Sequence, residues 1–313
     1  MRPAVLALLV LLAGCATAPD PGSHVVAETS VEATSLLGDP LVRTAFSDER
    51  QTTLEADLAA AEAAYAAHPD SLEAAVWVGR RLGYLWRYQE AIDAFTEGLA
   101  THPDAPELYR HRGHRYLTVR NLDAAVADLE RAAQLIDGTP DEIEPDGAPN
   151  AAGIPTSTLH TNIWYHLGLG YYLQGRFDDA LDAYAQCMAA STNDDMWVAT
   201  ADWMYMTLRR LDRDAEAREL LAPVTPEMAL LENHAYHRRL LMYKGLLAPD
   251  SLLRVEDDAD ADLTFATQGY GVGNHYLAEG DTARADALFR RVLASDYWPA
   301  FGYLAAEAEL ATR

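Results

Sequence analysis

A fixed period of 34 residues constrains this chain more than any other feature. Gly79 and Gly113 are 113 − 79 = 34 positions apart, and Ala91 and Ala125, Leu82 and Tyr116, and Tyr88 and Leu122 keep the same spacing. A period in this range marks tandem supersecondary units, each unable to bury its apolar face alone and therefore stacked on its neighbours. Within a unit come a small residue (Gly79), an apolar one three later (Leu82), a turn, another small residue (Ala91) and a large apolar one four later (Phe95). That order describes two helices touching at small positions. The phrase His68-Pro69-Asp70 returns as His102-Pro103-Asp104. Proline stops the outgoing helix because it lacks an amide hydrogen. Asp70 with Glu73, and Asp104 with Glu107, are expected to cap the incoming one.

The period divides the chain. Units one, two and three fall at about 72–105, 106–139 and 161–194, preceded by a helix over 48–67. Ala125 and Ala180 are 55 residues apart, one period plus 21, and the excess is a 138–160 insertion where Pro140, Pro145, Pro149 and Pro155 alternate with acids. A loop of that length in an array is either functional or merely solvated. Unit four begins at Asp195 and drifts, 226–245 reads as one amphipathic helix with a short partner at 249–255, and 256–262 is an acidic linker. The last unit carries Gly273, Tyr276, Gly280, Ala285, Phe289 and Leu293, and 298–313 forms a closing helix in which Glu307 and Glu309 interleave with apolar residues. The fold expected over 46–313 is all-α, a solenoid of about five to six helix-turn-helix units with a C-terminal capping helix.

The third copy identifies the unit. Trp164, Leu167, Gly168, Tyr171, Gly175, Phe177, Ala180 and Tyr184 fall on the signature positions, and the chain here resembles the tetratricopeptide repeat. The resemblance implies a right-handed superhelix whose first helices line a concave groove. It assigns to that groove Arg80 and Tyr84 in unit one, Arg110 and His114 in unit two, and Asn162, Tyr165 and Tyr172 in unit three. Unit four supplies Trp203 and Met206, and the last unit Tyr270 and Asn274. Such a lining is aromatic with two arginines at one end. Guanidinium groups suit carboxylates, and rings give large contact area at small entropic cost. It would recognise an extended peptide or a small organic ligand. The alternative is that these aromatics pack against the proline-rich loop or a neighbouring helix and leave no open groove.

The N-terminus reads as an export signal over 1–14: Arg2, an apolar run from Ala4 to Ala13, then Leu12-Ala13-Gly14-Cys15. The run is too short to span a bilayer. The tetrad resembles the bacterial lipobox, which implies lipidation of Cys15 and a tether over 15–45; two or three acyl chains suffice for stable anchoring. Ala16 after the cysteine favours, by the same resemblance, the outer membrane over the inner, with the protein facing the periplasm or the exterior. Cys187, the other cysteine, sits where the repeat wants a small buried residue, so an inert thiol is expected.

Acids number 48 against 24 lysines and arginines, a formal charge of −24, which repels nucleic acid and anionic headgroups and favours basic partners, cations or solubility in salt. His111, His114 and His166 are weak candidates for a metal site on adjacent helices, with no carboxylate or cysteine placed beside them in sequence. No Gly-x-Ser-x-Gly or Gly-Lys-Ser/Thr motif occurs, and Gly269-Tyr270-Gly271-Val272-Gly273 opens a repeat helix rather than following a strand. No catalytic residue and no cofactor are assigned. The function expected is a non-enzymatic scaffold of the cell envelope that holds a peptide or protein segment. A solute- or glycan-binding lipoprotein is the alternative, and a metal-dependent hydrolase a more distant one.

Overall fold

The structure, a computed structural model, describes residues 30–145, 147, 149–254 and 261–313. These hold a two-stranded hairpin and fourteen helices. The strands are β1 (Val31–Thr34) and β2 (Pro40–Val42). The first seven helices are α1 (Asp48–Ala67), α2 (Leu72–Tyr84), α3 (Tyr88–Thr101), α4 (Pro106–Thr118), α5 (Leu122–Leu135), α6 (Leu159–Leu173) and α7 (Phe177–Ala190). The rest are α8 (Asp194–Arg210), α9 (Asp214–Leu220), α10 (His234–Tyr243), α11 (Pro249–Leu252), α12 (Ala261–Ala278), α13 (Thr282–Val292) and α14 (Phe301–Ala311). Successive helices pair as hairpins, α2 with α3, α4 with α5, α6 with α7, α8 with α9 and α12 with α13, and each hairpin stacks on the next to make an all-α repeat solenoid.

The glycines of the period explain the stacking. A methyl group added at Gly79 would lie 2.3 Å from a Phe95 ring carbon, at Gly113 2.8 Å from Leu129, at Gly168 2.5 Å from Tyr184 and at Gly273 2.6 Å from Phe289. Each first helix therefore approaches its partner closely enough for a ring or a leucine to lie on bare backbone, and packing at that density tolerates no extra carbon.

The turn joining the helices of a hairpin needs one residue in the left-handed region. Gly175 (φ 72°) and Gly280 (φ 83°) fill it in two units, but Trp86 (φ 57°), Arg120 (φ 66°) and Asp212 (φ 57°) fill it in three others. A side chain there costs about 1 kcal/mol. The first two of these side chains offset that cost by reaching across to the C-terminal end. The Trp86 ring meets Tyr297 and Trp298 edge-on, centroids 5.4 and 5.6 Å apart. Arg120 forms a bidentate pair with Glu307 of α14, both bonds 2.9 Å, and donates to the Trp298 carbonyl at 3.0 Å. The Arg120 and Glu307 side chains are 2% and 1% exposed.

These contacts close the array on itself. Phe301 of α14 packs on His114 and His166, α12 packs on α8, and Arg210 of α8 pairs with Glu309. One apolar core runs without a break from Leu41 through the repeats to Ala306, while α1, α2, α3 and the start of α4 share a smaller cluster around Leu58, Phe95 and Leu108. The closing helix thus buries the two glutamates that its pattern would place in water.

Other details differ from the sequence reading for local reasons. The tether expected over 15–45 is folded from residue 30 onward: β1 and β2 dock on the array, and the Glu32 carboxylate accepts from the Tyr88 and Gln89 amides at 2.9 and 3.3 Å, capping the uncapped start of α3. Trp298 Nε1 donates to the Val42 carbonyl at 2.7 Å. Asp70 and Asp104 are not the caps. Ser71 caps α2, and α4 starts on Ala105 and Pro106 without a side-chain cap while Asp104 pairs with Arg131. The helix expected over 226–245 begins only at His234. The Asp195 carboxylate accepts from the amides of Leu231, Glu232 and Asn233 at 2.8 to 2.9 Å, holding that stretch irregular against α8. The signal peptide, the lipobox through Cys15 and most of the acidic linker lie outside the described residues.

Candidate functional site

The 138–160 insertion folds over the groove end of units one to three. Its two limbs pair, with the Glu144 amide donating to the Ser157 carbonyl at 3.3 Å and the Leu159 amide to the Glu142 carbonyl at 2.9 Å. Its inner edge faces the helices. The Glu144 carboxylate lies 3.1 Å from Arg110 Nε and 3.6 Å from His111 Nε2, and accepts from Asn162 Nδ2 at 3.1 Å. Arg80 Nη1 donates to the Pro145 carbonyl at 2.7 Å, and Arg80 Nη2 to the Tyr84 hydroxyl at 3.2 Å. Arg80, Arg110 and Asn162, three of the groove residues, are therefore brought together, but with the chain's own loop laid on them.

The expected lining further along is interior. Tyr165, Tyr172, Trp203, Met206, Tyr270 and Asn274 are all buried. Trp203 Nε1 donates to the Tyr165 hydroxyl at 2.8 Å, and that hydroxyl donates to Tyr236 at 3.1 Å. The Tyr172 and Tyr270 hydroxyls are 2.8 Å apart, and Asn274 Nδ2 donates to Tyr172 at 2.9 Å. The cause is curvature. Once α12 and α14 fold back on α8 and α6, the inner side of the ring becomes core, and buried hydroxyls must satisfy one another. An open groove through units three to five is thus corrected to a hydrogen-bonded aromatic interior.

A pocket of about 510 Å³ lies open between the first units and the closing segment. Arg50 and Asp57 of α1, Arg81 and Tyr84 of α2, His114 and Arg115 of α4, and Tyr297 and Phe301 from the C-terminal turn line it, with Trp203 reaching its floor. Tyr84, His114 and Trp203 are the groove residues that touch it. Arg115, Arg81 and Tyr297 were missed by the sequence reading, though a signal existed. Arg80-Arg81 after Gly79 and His114-Arg115 after Gly113 place Arg81 and Arg115 one period apart.

Some of the cations here have their own acid, while Arg50, Arg80 and Arg115 form no ion pair among the described residues. Arg81 pairs with Asp57 at 2.9 Å, Arg110 with Glu144, and the deeply buried Arg239 with Asp202. Arg115 lies against Gly83 of α2 and over the Tyr88 ring, 5.3 Å from its centroid. The groups bearing on its charge are Tyr88, Tyr84 and Tyr297, which support it, and Arg80, which opposes it; burial outweighs them and pulls its pKa down.

The histidines form no metal centre on this geometry. His111 Nδ1 is 2.8 Å from Arg110 Nη1, His166 Nδ1 is 2.6 Å from the Asn162 carbonyl, and the His114 and His166 rings lie 4.3 Å apart, tilted by 41°. Burial, reinforced by nearby arginines, holds all three well below the ordinary histidine pKa, so they are neutral packing groups. No group of three or more metal-ligating side chains occurs among the described residues. Cys187 is buried 3.4 Å from the Thr161 carbonyl, and burial pushes its thiol up to about 12, which keeps it protonated and unreactive.

Residues 161–194 match the family model described as tetratricopeptide repeat. Among solved structures, a tetratricopeptide repeat protein from Parabacteroides merdae is 14% identical, with 84% of this chain and 94% of that one covered and a TM-score of 0.49. YrrB, described as a TPR protein with an unusual peptide-binding site, is 14% identical over 80% of this chain and 98% of its own, with a TM-score of 0.43. MamA is 15% identical over 65% and 99%, with a TM-score of 0.43. The stacked hairpins make this chain an all-α helical repeat solenoid, one unit of which, 161–194, matches the tetratricopeptide repeat.

Proposed function

We propose that the protein is a non-enzymatic interaction scaffold, held at the cell envelope by a lipid on Cys15, that binds a segment of another protein in the pocket between its first units and its closing segment. The observation that carries this reading is the pocket itself: about 510 Å³ walled by tyrosines and arginines, inside a chain whose formal charge is −24. Aromatic and guanidinium groups are the side chains that concentrate binding energy at interfaces. The closed ring holds them in place before a partner arrives, which lowers the cost of ordering them. The membrane-facing half of the proposal rests on the Leu-Ala-Gly-Cys tetrad, and no described helix is long and apolar enough to cross a membrane.

Two experiments test it. Growth with a radiolabelled fatty acid should label the wild type and not Cys15→Ser, and fractionation should place the label in the outer membrane. Photo-crosslinking from position 84, at the pocket wall, should trap a discrete partner in intact envelopes, whereas crosslinking from the outer helix α5 should not. Equal trapping from both faces would refute the pocket as the binding surface. A solute-binding reading is favoured by one observation, that the volume falls within the 300 to 1,000 Å³ range of small-molecule sites, roughly; trapping of no protein from either position would leave that reading standing instead.

A further inference from the structure

The chain displays, within itself, how this end of the array treats an acidic segment. Ile143-Glu144-Pro145 lies extended across units one to three, its carboxylate on Arg110, His111 and Asn162 and its next carbonyl on Arg80. One helical turn along α4 from Arg110 and His111 stands Arg115, directed into the open pocket. Among the described residues, no carboxylate forms an ion pair with it. The contacts it has are the Tyr88 ring and the Gly83 backbone, with Tyr84 and Tyr297 alongside. A half-buried guanidinium without a carboxylate is costly, and in a chain with 48 acids and 24 lysines and arginines an internal partner would be easy to place. The neighbouring cations Arg81 and Arg110 do have such partners, at 2.9 and 3.1 Å.

We propose that the pocket receives an acidic peptide segment from a partner, seating one carboxylate on Arg115 and the residues beside it between Tyr84, Tyr297 and Phe301. The segment continues the pattern set by Glu144 on the adjacent turn of the same helix. Local charge selects it against the field of the whole chain. The −24 charge of the chain as a whole repels acidic peptides, so only a local, preorganised cation can hold one, and recognition falls to that spot. The tyrosine walls exclude water from the ion pair and strengthen it. This deepens the scaffold reading above and rests on it.

The test uses the full-length protein in detergent and a fluorescent heptapeptide copying residues 141–147, Asp-Glu-Ile-Glu-Pro-Asp-Gly, with its counterpart in which every acid is replaced by the matching amide. Fluorescence anisotropy should show the acidic peptide bound, the amide peptide at least tenfold weaker, and the difference shrinking as salt is raised. Arg115→Met should weaken the acidic peptide at least tenfold with unchanged circular dichroism, Arg115→Lys should restore part of it, and Arg131→Met, on the outer surface, should change nothing. Equal binding of both peptides, full binding by Arg115→Met, or no binding by the wild type would each overturn the assignment. Glutarate binding as tightly as the peptide would also overturn it, because the occupant would then be a small acid. If the peptide fails while crosslinking from position 84 still traps a partner, the acidic class is wrong and the scaffold stands; if both fail, both readings fall.

Discussion

Replacing Glu307 with alanine tests whether the ring is held shut by a buried charge pair. In the wild type the pair is bidentate, both bonds 2.9 Å, with 2% of the Arg120 side chain and 1% of the Glu307 side chain exposed. The substitution leaves a guanidinium with the Thr118 and Trp298 carbonyls and the Trp298 ring but no countercharge. Breaking a buried pair in this way costs about 3 to 5 kcal/mol, whereas removing both partners costs less, because no charge is stranded. Arg120→Ala/Glu307→Ala should therefore be less destabilised than the two single changes summed, by up to about 3 kcal/mol. Urea denaturation gives the totals. Hydrogen exchange locates them: in Glu307→Ala, uptake should rise in the 31–42 hairpin, which touches Glu307 through the Leu36 amide, and in α14, while α6 and α7 exchange as before. A loss below about 1 kcal/mol, or uptake spread evenly over every repeat, would show that the seam does not depend on this pair.

Three further outcomes follow from the same structure. Gly79→Ala, whose new methyl would collide with Phe95, should lose about 1 to 3 kcal/mol in thermal unfolding, while Gly175→Ala, with no neighbour within 4 Å, should lose only the roughly 1 kcal/mol of its left-handed turn. His111, His114 and His166 are neutral in the fold but titrate near pH 6.5 when unfolded, so the unfolded chain binds more protons below that pH and stability is lost as pH falls through 6.5, on the order of 1 kcal/mol per histidine over the next unit. A His166→Gln variant should show a shallower decline between pH 6.5 and 5.5, measured by urea midpoints. Glu144→Gln removes the charge that ties the insertion to Arg110, and limited proteolysis within 138–160 should quicken several-fold while the repeats stay intact.

The repeats were legible because they are local. Gly79, Gly113, Gly168 and Gly273 each encode a contact inside one hairpin, and such contacts repeat with the period that carries them. Closure was not legible, because it depends on how small rotations add up over the whole array. Its traces were present as exceptions to the pattern: Trp86 and Arg120 where the turn takes glycine, and Glu307 and Glu309 in a helix otherwise apolar. Arg120 and Glu307 are the two sides of one seam, and Glu309 ties the same closing helix to Arg210 of α8. The groove suffered from the same omission. Of the positions assigned to the groove, Tyr84 and His114 line the pocket and Arg80 and Arg110 lie under the 138–160 loop, but at Tyr172, Trp203 and Tyr270 the same positions are buried among other helices. The 138–160 loop was ambiguous by composition, and only its contacts show that it covers part of the groove.

Closure also decides whether the pocket exists. One wall comes from α1, α2 and α4, the other from Tyr297, Pro299 and Phe301, and the two walls are joined by Trp86 on Trp298 and Arg120 on Glu307. A ligand that bridges them binds the closed form and not the open one, so binding and closure must reinforce each other. Glu307 does not line the pocket, yet Glu307→Ala should weaken the acidic heptapeptide, because part of the binding energy goes into shutting the ring. Saturating peptide should in turn slow exchange in the 31–42 hairpin of the wild type. Peptide affinity unchanged in Glu307→Ala, in protein whose hairpin exchange has already risen, would mean the walls are set independently of the seam, and the pocket would then belong to the first units alone.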